Sequence, residues 1–393
     1  MITLGRVRQS TGVGIRWPNG LLMAIVAFLG LRLFLTALAF AIPLLLPTRA
    51  PCESSPLQRP SYGEGHALTL VGVWLRADGC SYLKIAANGY SPAVVHGYAF
   101  FPLYPLATRL VGGFLGGDTI IAGLIVANLA FIAGAVGIYR LAARDFGDAV
   151  ARRAVLYLTL FPSAFYLLAP FTEAPFLALS VWTLYSARRG WWLWAGLLGL
   201  LAALTRTQGL LLALPLAWEV WRQARGAGRG AAGYAPLAIV AAPLGGFLLY
   251  NAYILRAISM NVMEVQRAWG MRTAAPWAVI VDSWHFILDR SSVTEAANLF
   301  LILIAATLTI AGATRVPLSY TLVGAPQLLL LLTRETYYSP LMSVSRLLIV
   351  IFPIFILLGL VGRHPWCHRI WLTISLILLL VLAGFFFAGA FVA

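Results

Sequence analysis

The stretch LLMAIVAFLGLRLFLTALAFAIPLLL, Leu21 to Leu46, decides what solvent this chain folds in. A helix that crosses the hydrocarbon of a bilayer needs about 20 apolar residues, with a range of about 17–25. This run supplies them, with Arg32 as its one charge. It is too long for a signal-peptide core and no small-residue cleavage site follows it, so it reads as a spanning helix kept in the protein. The rest of the chain has the same character. Of 393 residues 61% are hydrophobic and 10% charged, against about 25% charged in a soluble domain; a water-facing surface cannot be built from that. The net charge of +15 does not indicate nucleic acid. The arginines stand singly or in pairs between apolar runs, not along one face of a soluble helix.

Eleven apolar runs read as spans: 21–46, 119–141, 152–169, 173–187, 191–205, 208–221, 234–255, 298–314, 317–333, 346–362 and 370–391. The expected fold class is an all-α polytopic membrane protein, one transmembrane domain over 1–393. The pair 191–205 and 208–221, joined by Thr205-Arg206-Thr207-Gln208-Gly209, is open to two readings, two spans or a re-entrant hairpin. Orientation follows from the basic residues of the short loops. With Arg6, Arg8, Arg16 and the N-terminus in the cytoplasm, alternation also puts Arg140, Arg144, Arg152, Arg153, Arg188, Arg189, Arg222, Arg225, Arg229, Arg315, Arg363 and Arg369 inside. Of thirteen acidic residues only Asp145, Asp148 and Glu219 then fall inside.

Two outer segments, 47–118 and 256–297, are too long to be simple connections, and loops of that length tend to carry function. Within the first, Leu70, Val73, Trp74, Ala77, Ser81 and Ile85 follow 3–4 spacing, which predicts an amphipathic interfacial helix from Thr69 to Gly89. Phe100 to Leu115 is a second interfacial candidate, broken by Pro102 and Pro105. Cys52, Cys80 and Cys367 lack metal-ligand spacing. Cys52 and Cys80 share the outer loop, where a disulfide and two free thiols are equally open.

On this topology Asp78, Glu173, Arg206 and Arg346 converge on the outer face, beside Phe100-Phe101-Pro102-Leu103-Tyr104-Pro105. Ionisable groups near membrane depth are costly and tend to mark function; the competing reading of each is a helix-end anchor. A carboxylate there can serve as general base. Arginines bind a phosphate bidentately, and a lipid groove beside them would hold a polyprenyl tail. Glu173, in a short turn between spans, can cap a helix N-terminus or hold an arginine. There is no Walker loop, no dinucleotide glycine fingerprint and no HExxH, so ATP hydrolysis, hydride transfer and zinc proteolysis have no support.

Four blocks then carry a resemblance. Trp74-Leu75-Arg76-Ala77-Asp78-Gly79-Cys80-Ser81-Tyr82-Leu83-Lys84 through Tyr90, followed by Phe100-Phe101-Pro102-Leu103-Tyr104-Pro105, is the first. Phe161-Pro162-Ser163-Ala164-Phe165-Tyr166 through Thr172-Glu173-Ala174 is the second. Ala203-Leu204-Thr205-Arg206-Thr207-Gln208-Gly209 is the third, and Ser345-Arg346-Leu347 with Phe352-Pro353 the fourth. In this order they resemble the PIG-V family, the second mannosyltransferases of glycosylphosphatidylinositol assembly and their bacterial relatives in the GT-C superfamily. The chain departs from that pattern at Ala77 and Ser81, where the family usually has tryptophan.

The resemblance implies a GT-C-like fold and an inverting transfer of a sugar, mannose in the family, from a polyprenyl-phosphate donor to an extracytoplasmic acceptor. That acceptor is a glycolipid, a polymer or a protein. Asp78 matches the acidic residue that serves as catalytic base, and Arg76, Tyr82, Tyr104, Glu173, Arg206 and Arg346 are the candidate substrate-binding residues. The chemistry requires no metal, though a divalent ion is compatible with it. The short loops point to a bacterial plasma membrane. A transporter or flippase of lipid-linked precursors is the alternative, but the chain has no inverted repeat and no matching pair of Gly/Pro-broken helices.

Overall fold

A backbone in hydrocarbon has no water to bond, so each crossing segment must satisfy its own N–H and C=O groups, as a helix does. The computed structural model follows that rule and is nearly all helix. It describes residues 17–47, 52, 71–91, 98–226, 233–254, 256, 262–268, 270–390 and 392. Helix α1 (Trp17–Leu45) carries the first apolar run. Helices α2 (Ala77–Asn88) and α3 (Leu103–Gly113) precede α4 (Thr119–Phe146). Short turns then join α5 (Asp148–Thr159), α6 (Glu173–Arg188), α7 (Trp192–Ala203) and α8 (Ala213–Gly226), followed by α9 (Leu237–Val240) and α10 (Ala242–Tyr253). Helix α11 (Val262–Ala268), strand β1 (Met271–Thr273) and α12 (Pro276–Arg290) lead into α13 (Val293–Gly312) and α14 (Leu318–Leu332). Strand β2 (Arg334–Thr336), α15 (Val344–Leu348), α16 (Pro353–Val361) and α17 (Pro365–Phe387) complete the order.

Among the described residues α1 from Gly20, α4, α13 and α17 are long and apolar enough to cross a bilayer; α7, the α9–α10 segment and α14 are shorter apolar helices. The chain is an integral membrane protein. Every one of the eleven runs falls on helix, but prolines redraw several ends. The run 152–169 stops being α-helix at Thr159, ahead of Pro162, and continues as a 3-10 turn, Ala164–Leu167. The run 346–362 is divided at Pro353, which starts α16 in the first helical turn, where a missing N–H costs nothing.

Helix α6 sits at the centre and is buried along most of its length, which a helix apolar on nearly all sides requires. It packs on α4, which also holds α1, α3 and α5. Its two ends carry charge. Near the C-terminal end, Arg188 pairs with Asp145, whose Oδ2 also accepts from the Tyr320 hydroxyl at 2.6 Å. Glu219 of α8 lies there too, 3.8 Å from Arg188 Nε and 2.5 Å from Arg222 Nη2. At the N-terminal end, Arg206 reaches Glu173. The segment from α7 to α8 therefore runs from one end of α6 to the other and back. It makes two passes along α6.

The first outer segment differs from its reading as one helix over 69–89. Thr69 and Leu70 lie outside the described residues. A 3-10 turn, Gly72–Trp74, is followed by extended Arg76, and Ala77 at φ +44° turns the chain into α2. Helix α2 is largely buried, because α3, α4 and the Pro170-Phe171 turn cover it. Cys80 on α2 is disulfide-bonded to Cys52. In α3 the prolines start the helix: Pro102 is its N-cap and Pro105 falls in the first turn, where no carbonyl awaits an N–H. Strands β1 and β2 pair antiparallel with Arg272 opposite Glu335.

Candidate active site

Asp78 is the second residue of α2 and Glu173 the first of α6. Each carboxylate thus lies at a helix N-terminus, which favours negative charge. The two N-termini meet because the residue after Asp78 has no side chain. A Cβ on Gly79 would stand 2.9 Å from Phe171 Cε2 and 3.2 Å from Pro170 Cγ. Arg206 sits on an extended residue between α7 and the 3-10 turn Thr207–Leu212. Gly209 makes that turn possible, since a Cβ there would be 2.4 Å from the Ala202 backbone.

Asp78, Glu173 and Arg206 form one chain of charge with Arg346 of α15. Arg346 donates from Nη1 to Asp78 Oδ2 at 2.6 Å and from Nε to Glu173 Oε1 at 2.6 Å. Arg206 Nη1 donates to the same Glu173 oxygen at 2.7 Å and to Thr172 Oγ1 at 3.1 Å. Glu173 is fully buried. The Arg346 guanidinium also lies over the rings of Phe171 and Tyr166, 5.2 and 5.5 Å from their centroids, where cation–π attraction adds to its hold.

Arg346 is aimed by residues the sequence reading passed over. Asn298 Oδ1 accepts from Ser345 N at 2.9 Å, Ser163 Oγ donates to Ser345 O at 2.8 Å, and Glu295 Oε1 accepts from Leu341 N at 2.9 Å. Glu295 and Asn298 are both buried on α13. Glu295 spends its buried carboxylate on the Leu341 N–H and the Ser339 hydroxyl, which fixes the segment that leads into α15, the helix carrying Arg346.

Beside this chain opens a cavity of about 670 Å³. Asp78, Arg206 and Arg346 line it, as do Tyr82, Phe100 and Phe101. Tyr82 is one helical turn beyond Asp78 and lies 3.4 Å from Thr172 Oγ1. Burial pushes its pKa up to about 12, so the phenol stays neutral. The other candidates are placed elsewhere. Tyr104 gives its hydroxyl to Gly123 O at 2.8 Å behind the Tyr82 ring. Arg76 is buried and donates to Phe387 O at 3.0 Å, tying the end of α17. Neither lines the cavity.

Two lining residues were not anticipated. Arg334 of β2 has a buried Nε without a partner and forms no ion pair among the described residues. Burial, and then the cations of Arg346 and Arg206, press its pKa down to about 10 against a smaller upward pull from Asp78. Gln208, 4% exposed, has neither end of its amide bonded. Among the described residues no group of three or more His, Cys, Asp or Glu could hold a metal.

Residues 102–250 match the family described as dolichyl-phosphate-mannose-protein mannosyltransferase. The matched stretch takes in Glu173, Arg206 and Gln208. No curated protein matches the chain. Among solved structures, the crystal structure of ArnT from Cupriavidus metallidurans bound to undecaprenyl phosphate is similar, with a TM-score of 0.51 at 14% identity. The fold is GT-C-like. The similarity covers 88% of this chain and 62% of ArnT, so the chain spans less than two thirds of that protein's length.

Proposed function

We propose that this chain is a membrane glycosyltransferase that moves a sugar from a polyprenyl-phosphate donor to an acceptor hydroxyl. One observation carries the reading. In an integral membrane protein of GT-C-like fold, a carboxylate at a helix N-terminus and several guanidinium groups meet on the wall of one cavity. The mannosyltransferase description of residues 102–250 and the undecaprenyl phosphate bound by ArnT support it, and the PIG-V-like blocks favour mannose as the sugar.

In the proposed reaction Asp78 accepts the proton of the acceptor hydroxyl. The freed oxygen attacks the anomeric carbon, and the bond from that carbon to the phosphate oxygen breaks. Its electron pair leaves with polyprenyl phosphate. Direct displacement inverts the anomeric centre and needs one base. The ion pair with Arg346 engages Oδ2 of Asp78; a carboxylate has two oxygens, so one stays available for the hydroxyl. Developing charge on the leaving phosphate is met by guanidinium groups already fixed on the cavity wall.

The site is assigned to the extracytoplasmic face, with the N-terminus in the cytoplasm of a bacterial cell and the chain in its plasma membrane. The loop arginines favour this, and so does the Cys52–Cys80 disulfide, a bond that persists in oxidising compartments. Single-cysteine labelling should reach Ser292 from outside and Arg189 only after the membrane is opened. The deciding experiment uses purified protein, polyprenyl-phosphate mannose and a membrane extract as acceptor source. A glycosyltransferase releases polyprenyl phosphate with no second compartment present; an intact donor would favour a flippase. Mass spectrometry of the glycolipids, polymers and glycoproteins lost from a deletion strain identifies the acceptor.

A further inference from the structure

Pairing the charges around the cavity leaves a remainder. Asp78 and Glu173 are matched by Arg346 and Arg206. Glu335 is matched by Arg272, which donates to it through two nitrogens at 2.7 and 3.0 Å. Arg334 and the exposed Arg267 are left over, without a carboxylate at ion-pair distance among the described residues; Arg334 has its Nε buried and unbonded, with Asp78 only near enough to attract it through space. Arg334 is half-buried, and a guanidinium nitrogen shut off from water with no acceptor is costly, so fold stability alone gives no reason to keep it. Gln208 poses the same problem in neutral form. Its amide offers two donors and an acceptor, and none is used although the side chain is buried on the cavity wall. Both residues face a space large enough for a sugar phosphate.

We infer that Arg334 and Gln208 form the headgroup subsite of the donor, Arg334 receiving the phosphate and Gln208 the sugar hydroxyls. The inference rests on the polyprenyl-phosphate reading above and assigns residues within it. The stoichiometry of charge agrees. A sugar linked to a prenyl phosphate is a phosphodiester with one negative charge, and of the two lining guanidinium groups beyond the internal pairs Arg267 is exposed to water while Arg334 has its Nε shut off from it. Arg206 and Arg346 then hold carboxylates in place, while Arg334 meets the donor. An amide read by two vicinal hydroxyls makes Gln208 a determinant of which sugar is accepted. A site built to hydrogen-bond hydroxyls rejects analogues that lack them, because its own polar atoms stay unpaired.

Three short-chain probes of equal tail length separate the two roles: prenol, prenyl methyl phosphate and prenyl-phosphate mannose. The last two carry the same single charge. Binding is measured on the full chain in detergent, for wild type, Arg334→Gln, Arg334→Lys and Gln208→Met. Arg334→Gln should weaken both phosphodiesters about 10- to 100-fold, the worth of a charge-assisted hydrogen bond, and leave prenol unchanged. Arg334→Lys should recover part of the loss. Gln208→Met should weaken only the mannosyl probe, by about 3- to 10-fold. Because Arg334→Gln and Gln208→Met remove polar atoms that are buried and unbonded, those ligand-free variants should unfold at or above the wild-type temperature; a structural role predicts the opposite.

Arg334→Gln binding both phosphodiesters within twofold of wild type would overturn the phosphate assignment while leaving the donor reading intact. Gln208→Met weakening both phosphodiesters alike, or neither, overturns the sugar assignment. Loss of prenol binding in either variant, with a lowered unfolding temperature, overturns that residue's role in favour of packing. Wild type holding prenyl methyl phosphate no better than prenol would sink the donor reading itself, and the inference with it.

Discussion

The two ends of α6 hold the same kind of object and differ in what surrounds it. At each end a buried carboxylate is clasped by arginines: Glu173 by Arg206 and Arg346, Glu219 by Arg222 with Arg188 nearby. At the C-terminal end the set closes on itself. Asp145 takes Arg188 and the Tyr320 hydroxyl, Glu219 takes Arg222 and Gln223, and the unbonded Arg188 Nε and Glu219 Oε1 face each other at 3.8 Å. None of these residues lines the cavity. At the N-terminal end the chain of charge stops at a cavity wall where the buried Nε of Arg334 and the amide of Gln208 have no partner. Ion pairing near membrane depth is therefore no sign of function by itself. The unspent groups beside it are.

The strongest way to break this comparison is to neutralise one carboxylate at each end. Asp78→Asn keeps shape and removes basicity, and general bases contribute about 10²–10⁴-fold. Its turnover should fall at least about a hundredfold while prenyl methyl phosphate still binds. Asp145→Asn should leave turnover per folded molecule unchanged, because its partners are Arg188 and Tyr320. Steady-state assays on gel-filtered protein compare the two. Asp78→Asn retaining more than about a tenth of activity would remove the base from Asp78.

A second pair concerns stability. Breaking a buried ion pair by removing one partner costs about 3–5 kcal/mol, because the remaining charge is left uncompensated. Glu173→Gln strands Arg206 and leaves Arg346 with Asp78 alone, both guanidinium groups being about 9–10% exposed, and should cost an amount in that range. Glu219→Gln should cost less, since Arg222 is 46% exposed and water screens it. Thermal unfolding in one detergent ranks them. Equal losses would mean that the N-terminal cluster is no more tightly enclosed than the other.

Much of this contrast could be read in the sequence. Asp78, Glu173, Arg206 and Arg346 stand out because an ionisable residue bordering an apolar run is rare, and the structure brings all four together. Arg76 entered the candidate list as a neighbour of Asp78. Its extended backbone instead sends the side chain to the Phe387 carbonyl. Tyr104 was drawn in by the same block and is used up on Gly123. Arg334 was missed for the converse reason. Next to Glu335 at the end of a span it looks like an ordinary helix-end pair, yet Glu335 belongs to Arg272, 63 residues earlier. Whether a polar group is spent depends on partners far along the chain, and no local pattern reports that. The strands that bring Arg272 and Glu335 together are three residues each, too short for a period of two to show.

The smallest effects lie within the N-terminal cluster and sharpen its division of labour. Arg206 and Arg346 both hold Glu173, but by different geometry. Arg346 uses two nitrogens, Nη1 for Asp78 and Nε for Glu173, so it sets the distance between the carboxylates through a rigid plane. Arg206 makes both of its contacts, to Glu173 and Thr172, through Nη1 alone. A lysine ammonium is a single point with three donors and cannot reproduce a two-nitrogen bridge, whereas it can replace a single-nitrogen contact. Arg346→Lys should therefore lower kcat about tenfold through a misplaced Asp78, given that one bridging charge-assisted bond is worth about 1.5–3 kcal/mol. Arg206→Lys should lower it only about two- to threefold. In both, binding of prenyl methyl phosphate should change by less than about threefold, since the donor is assigned to Arg334. Were Arg206→Lys the more damaging, or were phosphodiester binding lost in either, these two arginines would belong to the donor and the carboxylates would need another explanation for their fixed separation.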